Sequence, residues 1–88
     1  MSLKDKEKWN KKYAAEEYIT GKEPSSWLEE NAGLLNTNGK ALDIAGGEGR
    51  NSVFVASRGY EVTCLDISKN GLTKALALAH EKKAKITT

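Results

Sequence analysis

The sequence has few of the residues that build metal centres or covalent crosslinks. Its 88 residues include one cysteine, Cys64, and one histidine, His80. A single cysteine cannot form an intrachain disulfide, and the pair falls short of the ligand set of a zinc site. Cys64 follows Val62 and Thr63 in an apolar run and is predicted to be a buried core residue, whereas His80 is predicted to lie on an exposed helix face. This cysteine usage favours a cytoplasmic protein.

Long apolar runs and a strong excess of one charge are also absent. No stretch approaches the ~18 apolar residues of a membrane span, and residues 1–6 lack the apolar middle of a signal peptide. The 14 basic and 12 acidic residues leave a net charge of +2. A basic footprint for nucleic acid is therefore lacking. We expect neither a membrane nor a nucleic acid as a partner.

Hydrophobic periodicity predicts helices that alternate with short apolar strands from residue 40 onward. Helices are expected over 4–18, from Ser26, over 51–58 and from Ser68, and strands over 40–45, 60–66 and 85–88. Ser26 and Glu29 have the spacing of a capping box, and 36–39 form a turn cluster. Strands that alternate with helices predict an α/β fold, a Rossmann-like parallel sheet with helices on both faces.

Two strands and the start of a third make an incomplete sheet, because most sheets have ~4–6 strands. We therefore expect residues 1–39 to be an N-terminal helical lid or cap, and residues 40–88 to be the first half of a Rossmann-like domain that continues past Thr88. The open sheet edge would allow self-association.

The main chemical signal is the segment 43–49, which reads Asp-Ile-Ala-Gly-Gly-Glu-Gly. Gly46, Gly47 and Gly49 lie between a predicted strand and a predicted helix, where glycines let a ligand approach the backbone and the helix N-terminus. Asp66 ends the next strand, 19 residues after Gly47, where a carboxylate accepts hydrogen bonds from ribose hydroxyls. These features fit NAD as well as S-adenosylmethionine.

Two acidic residues of the loop separate these ligands. Asp43 and Glu48 would oppose the pyrophosphate of a dinucleotide in a partly desolvated crevice. A sulfonium and an ammonium group, as in S-adenosylmethionine, would be favoured beside Asp43. The dinucleotide pattern G-x-G-x-x-G/A is also met only in part, because Ser52 occupies its last position.

These residues resemble a known family. Residues 43–49, followed by Asp66-Ile67-Ser68, resemble the first two motifs of class I S-adenosylmethionine-dependent methyltransferases. From Trp9 to Thr88 the chain is similar to the tellurite-resistance-type branch, above all in Glu23-Pro24 and in the segments 47–51 and 59–63. The resemblance covers nearly the whole chain but only about the first half of the family's fold.

The resemblance implies roles for the residues of the loop. The acidic residue, Asp43, would lie near the methionine amino group. The glycines would pass under the methionine moiety; they are Gly46, Gly47 and Gly49. Ala45 stands where the common pattern has glycine, and its methyl group is expected to pack more tightly beside the methionine without preventing binding.

Three further roles follow from the resemblance. Asp66 would hold the ribose and Ile67 would pack on the adenine. Arg50 would either reach the methionine carboxylate or lie on the surface. The aromatic residues Trp9, Tyr13 and Tyr18 are interpreted either as core packing or as part of a lid over the cofactor.

The predicted activity is methyl transfer from S-adenosylmethionine to a small-molecule acceptor by the full-length enzyme. The protein would align donor and acceptor and exclude water. No catalytic base is evident, and the acceptor residues are expected beyond Thr88, so the 88 residues alone are predicted to be inactive. Two alternatives stay open: a dinucleotide-binding domain of an oxidoreductase, and a non-catalytic fragment.

Overall fold

The structure, a computed structural model, describes residues 3–35 and 39–88. Helices and strands alternate from β1 onward, as the periodicity predicts. The elements are α1 Leu3–Lys12, α2 Ser26–Glu30, a 3-10 turn Ala32–Leu34, β1 Gly39–Ile44, α3 Arg50–Ser57, β2 Tyr60–Leu65, α4 Lys69–Glu81 and β3 Ile86–Thr87. The predicted turn at 36–39 lies outside the described residues except for Gly39, which begins β1.

The three strands form one parallel sheet in the order β1-β2-β3. Asp43 of β1 is paired in register with Cys64 of β2, and Val62 of β2 with Ile86 of β3. Each connection crosses over through a helix, α3 between β1 and β2 and α4 between β2 and β3. The α/β, Rossmann-like parallel sheet is therefore confirmed.

The hydrophobic core lies between this sheet and helices α3 and α4. Cys64 is fully buried in it, as predicted, and so are Ala75 and Leu78 of α4. In the same helix Leu76 is 45% exposed, because it lies on the side of α4 that faces away from the sheet. The core cluster is Val53, Val62, Cys64, Ala75, Leu78, Ala79 and Ile86.

The opposite face of the sheet is open in the described part of the chain. Leu42, Ile44 and Leu65 are 60%, 71% and 44% exposed there. Helices were expected on both faces, yet α3 and α4 share one. The reason is geometric: two successive right-handed crossovers that advance in the same direction place both helices on the same side.

Helix ends differ from the sequence-based expectation in α1, α2 and α3, and α3 begins and ends one residue earlier than expected. Helix α1 stops at Lys12 instead of reaching residue 18, because the chain turns where Tyr13 is buried against Gly47 and Gly71, and a short helix depends on such packing. Helix α2 begins at Ser26 as expected, but its cap is Ser25, whose Oγ accepts from the Leu28 N–H at 3.3 Å. The Ser68 cap of α4 is confirmed. None of the helices in 3–35 and 39–88 has the length and apolarity to cross a membrane.

Candidate ligand-binding site at the glycine loop

Residues 45–49 connect β1 to α3 at the carboxyl edge of the sheet. The Gly46 N–H donates to the carbonyl of Leu65 at 3.0 Å, and the Gly49 N–H donates to the carbonyl of Gly46 at 3.1 Å. Helix α3 then starts at Arg50. Crevices outside the carboxyl ends of parallel strands are the usual ligand sites of such sheets. The loop predicted from the sequence therefore lies where a ligand site is expected.

Contacts within the protein leave little space for a side chain at any of the three glycines. A Cβ on Gly46 would lie 2.5 Å from the Cys64 Sγ, and one on Gly49 would lie 2.6 Å from the Ala75 Cβ. A Cβ on Gly47 would lie 2.8 Å from the Tyr13 hydroxyl. Each distance is shorter than van der Waals contact. The glycines are thus explained by packing, and on their own they are no evidence for a ligand.

Ala45 has the left-handed conformation that usually belongs to glycine. Its φ is +61°, although alanine carries a Cβ that clashes with the backbone in this region. Ala45 is exposed and lies next to Gly46, at the start of the loop. The residue that departs from the resembled glycine pattern is therefore the strained residue of the loop.

Asp66 follows β2 and is held by two backbone groups. Its Oδ2 accepts from the Gly47 N–H and its Oδ1 from the Ser68 N–H, both at 2.8 Å. A carboxylate oxygen has two lone pairs, so each oxygen can accept one more hydrogen bond. Asp66 is half-buried. The side chain is consequently oriented in advance and retains acceptor sites for hydroxyl groups.

A cavity of about 150 Å³ lies beside Asp66, and Trp9, Tyr13, Ala45 and Ile67 complete its lining. The rings of Trp9 and Tyr13 stack at a centroid distance of 5.6 Å. The cavity brings together Ala45, Asp66 and Ile67, which sequence reasoning had chosen. Small-molecule sites commonly measure about 300–1,000 Å³, so this cavity has room for only part of a ligand of that size.

Tyr13 belongs to this wall and to the protein interior at once. Its ring is 8% exposed and lies against Gly47 and Gly71. Burial raises the pKa of Tyr13, and the negative charges of Asp66 and Glu48 raise it further. At neutral pH the hydroxyl is therefore a neutral donor that stands among carboxylates. The two interpretations of the aromatic segment, core packing and cavity wall, both describe Tyr13.

Asp43 lies next to the loop but outside this cavity. Its Oδ2 accepts from the Ser52 hydroxyl at 2.6 Å and would lie 3.0 Å from a Cβ on Gly46. Burial is the largest cause that raises the pKa of the Cys64 thiol, and the charges of Asp43 and Asp66 raise it further. The hydrogen bond with Ser52 lowers this pKa but does not outweigh the burial. Cys64 is consequently a protonated core residue, and Ser52 is a partner of Asp43 that the sequence analysis did not identify.

Glu48 does not contribute a free negative charge to the loop. Its side chain is fully buried and forms an ion pair with Lys74, Oε2 to Nζ, at 2.8 Å. The electrostatic argument against a dinucleotide therefore depends on Asp43. The partner, Lys74, is 26 residues away in sequence, and no local pattern indicated the pairing.

Arg50 is directed toward the N-terminal segment. Its guanidinium donates to the carbonyl of Thr20 at 3.5 Å, and its side chain borders a groove with Pro24 and Phe54 instead of the Asp66 cavity. The predicted site residues therefore lie along the chain in and beside the loop. Asp43 precedes the loop in β1, the three glycines belong to the loop, and Arg50 follows it at the start of α3.

Comparison with known proteins supplies the family. Residues 1–88 match the family of tellurite resistance protein TehB. The chain belongs to the TehB family. This is a family of S-adenosylmethionine-dependent methyltransferases, so the resemblance of the chain to the tellurite-resistance-type branch is confirmed.

Two solved structures share the fold. One comes from a study of the conversion of a disulfide bond into a thioacetal group during echinomycin biosynthesis; it is 31% identical, with a TM-score of 0.61, over 74% of this chain and 27% of that chain. The other is the PH0226 protein of Pyrococcus horikoshii OT3, 25% identical, with a TM-score of 0.58, over 98% of this chain and 38% of that chain. The chain thus spans well under half the length of either protein. No curated protein matches it.

Proposed function

We propose that this TehB-family chain binds S-adenosylmethionine at the glycine loop, as part of a methyltransferase that acts on a small acceptor. The observation that carries the proposal is the Asp66 carboxylate. The backbone N–H groups of Gly47 in the loop and of Ser68 at the start of α4 hold it, and it lines a cavity walled by aromatic and apolar side chains. Asp66 thus offers the acceptor that a ribose needs, at the edge of the sheet where nucleotides bind.

The chemistry of the cavity fits the nucleoside part of this cofactor. Asp66 would accept the ribose hydroxyls, and the half-buried Ile67 and Trp9 offer apolar surface for a flat adenine. Tyr13 adds a neutral hydroxyl donor at the same wall. When bound, the cofactor supplies an electrophilic methyl group on a sulfonium.

The rest of the loop is assigned to the methionine part. Asp43 would attract the ammonium group, and the loop of Gly46, Gly47 and Gly49 would pass beneath the chain of the methionine. Arg50, whose guanidinium contacts Thr20, is assigned to the N-terminal segment in preference to the methionine carboxylate. The methyl group of Ala45 lines the cavity and would narrow it beside the ligand.

The acceptor and the whole reaction are less closely supported. The chain spans 27% and 38% of the two solved proteins, so methyl transfer by the complete enzyme is part of the proposal. In the cavity Tyr13 is neutral and the Asp66 carboxylate is assigned to the ribose, so neither is assigned the removal of a proton from the acceptor. The role of these residues is to bind and orient the donor and to exclude water.

Calorimetric titration tests the proposal. S-adenosylhomocysteine, the demethylated product, should bind and NAD should not. Asp66→Asn, which retains one oxygen acceptor, should weaken binding by about tenfold or more, because a hydrogen bond to a charged group is worth about 1.5–3 kcal/mol. Glu61→Gln removes the same charge from the exposed side of β2 and should leave affinity unchanged.

The titration also decides between the alternatives. Binding of NAD instead of S-adenosylhomocysteine would favour a dinucleotide-binding domain, an alternative that the pairing of Glu48 with Lys74 makes less costly than the sequence indicated. A folded protein that binds neither ligand would favour a non-catalytic role.

A further inference from the structure

The buried carboxylate of Glu48 connects the glycine loop to the N-terminal segment, here residues 13–20. Its Oε1 accepts from both the backbone N–H and the hydroxyl of Thr20, each at 3.3 Å. Its Oε2 accepts from the Lys74 ammonium group at 2.8 Å. One side chain of the loop thus holds a helix of the core and a segment that lies 28 residues earlier in the chain.

Lys74 strengthens the same connection from the side of α4. Its ammonium group also donates to the carbonyl of Glu17 at 2.6 Å, and its own carbonyl accepts from the Tyr18 hydroxyl at 2.7 Å. The ammonium group lies 5.2 Å from the centre of the Tyr18 ring. The Glu48–Lys74 pair and the N-terminal segment therefore form one network.

Helix α1, which precedes the segment, is attached to α4 by separate contacts of Asn10. In α1, the side-chain oxygen of Asn10 accepts from the Ser68 hydroxyl at 3.0 Å and from the Asn70 N–H at 2.9 Å. The side-chain amide of Asn70 donates to the backbone carbonyl of Asn10 at 2.8 Å. Tyr13, which walls the cavity, lies between this anchor and the Glu48 network.

Apart from the buried Tyr13 and from Tyr18, which packs on the core, the segment is held by these polar contacts. Residues 14–17 are exposed, and no helix or strand includes residues 13–20. A stretch with few buried contacts, such as residues 14–17, opens locally at a small cost in free energy. The apparent affinity for a ligand that needs an ordered wall is proportional to the fraction of molecules in which that wall is formed, so opening of the segment weakens binding.

We propose that Glu48 is a positioning residue: it holds residues 13–20 against the glycine loop, and thereby sets the affinity of the cavity walled by Trp9 and Tyr13. The affinity part of this inference depends on the proposed function, whereas the holding of the segment does not. Glu48 itself touches no ligand, since its side chain is fully buried beneath Thr20 and Lys74.

Backbone order parameters from NMR, measured without ligand, test the first part. In Glu48→Gln the order parameters of the backbone amides in residues 13–20 should fall from about 0.85, which is typical of rigid backbone, to below about 0.6. The amides of α4 should keep their values, which shows that the fold persists. Glu61→Gln is the matched control, because it makes the same change on an exposed side chain and should alter neither region.

A milder variant covers the case in which Glu48→Gln fails to fold. Thr20→Val removes a hydroxyl donor of the exposed Thr20 and keeps the buried Glu48–Lys74 pair intact. We expect a smaller drop in the same order parameters. Calorimetry with S-adenosylhomocysteine should then show affinity about tenfold weaker in Glu48→Gln, within the usual range of coupling between sites, and a few-fold weaker in Thr20→Val.

Each outcome decides the proposal. Order parameters that stay unchanged in both variants would overturn it whether or not any ligand binds. A mobile segment with unchanged affinity would overturn the link between Glu48 and the cavity. If the unaltered protein binds no S-adenosylhomocysteine, the proposed function fails, and the holding role of Glu48 is judged by the order parameters alone.

Discussion

The two ends of the glycine loop both have the left-handed backbone conformation, but they differ in burial and in the space available for a side chain. Ala45 at the first end has φ +61° and is exposed, whereas Gly49 at the last end has φ +87° and is buried against Ala75. At Gly49 both the conformation and the space exclude a side chain. At Ala45 space is available, and the alanine stores strain. A glycine pattern in a sequence therefore combines positions required by packing with positions where glycine is only preferred.

The largest expected effect is at the packed end. Gly49→Ala would place a Cβ 2.6 Å from the Ala75 Cβ and 2.8 Å from its Cα, which cannot turn away. Left-handed strain of about 1–2 kcal/mol and overpacking of about 1–3 kcal/mol together predict a loss of about 3 kcal/mol in the free energy of unfolding. Urea denaturation measures it.

Gly33→Ala is the control for this change. Nothing lies within 4 Å of a Cβ at Gly33, and its φ is not in the left-handed region. Equal unfolding free energies for the Gly49 and Gly33 variants would contradict the packing explanation.

An intermediate effect is expected at Gly47. Gly47→Ala would bring a Cβ within 2.8 Å of the Tyr13 hydroxyl, the far end of a side chain that can shift. We expect a loss of about 1–2 kcal/mol, mostly from the left-handed conformation. In a Tyr13→Phe background, which lacks the hydroxyl, the loss should be smaller. A double-mutant cycle in urea measures the difference, and strict additivity would show that Tyr13 does not press on Gly47.

The Tyr13 contact also predicts a dependence on pH. The pKa of Tyr13 is raised above 10.0 in the folded protein, chiefly by burial, so the folded state holds this proton more tightly than the unfolded state. The stabilisation is fully present below pH 10 and is lost as pH rises through the folded pKa. The unfolding free energy should fall more steeply above pH 10 in the unaltered protein than in Tyr13→Phe. Parallel curves would count against a buried, neutral Tyr13.

The smallest effect is at the strained end. Ala45→Gly should relieve about 1–2 kcal/mol of left-handed strain in the folded protein. Glycine also adds conformational freedom to the unfolded chain, which costs about 0.4–1 kcal/mol, so the free energy of unfolding should rise by about 0.5 kcal/mol. Thermal unfolding measures it. Ala77→Gly in the exposed part of α4 should instead cost about 1 kcal/mol. A loss of stability at position 45 would mean that the Ala45 methyl makes contacts worth more than its strain.

Much of the fold could be predicted from the sequence because the signals for it are local. Apolar runs next to glycines located β1 and β2 to within a residue, and Ser68 marked the start of α4. The end of α1 could not be predicted, because Tyr13 leaves the helix to reach glycines that lie 34 and 58 residues later. The cap of α2 was missed by one residue because Ser25 and Ser26 are chemically equal.

The candidate site shows the same division. The loop with Asp43, Asp66 and Ile67 could be chosen from motif spacing, and the structure brings Asp66 and Ile67 to one cavity with Ala45. The charge of Glu48 was misjudged, because its partner Lys74 comes from another helix. Asn10 carried no signal as a single polar residue on an exposed helix, and its role depends on two residues of α4.

By itself the sequence determined the order of strands and helices, the glycine loop and the acidic residue that follows β2. These features depend on the hydrophobic period and on residues a few positions apart, so they can be read without knowledge of distant contacts. Only the tertiary structure decided that Tyr13 closes on Gly47, that Lys74 neutralises Glu48, and that α3 and α4 share one face of the sheet. Those outcomes require packing between segments far apart in sequence, where the space left by a missing Cβ and the pairing of a buried charge select the neighbours.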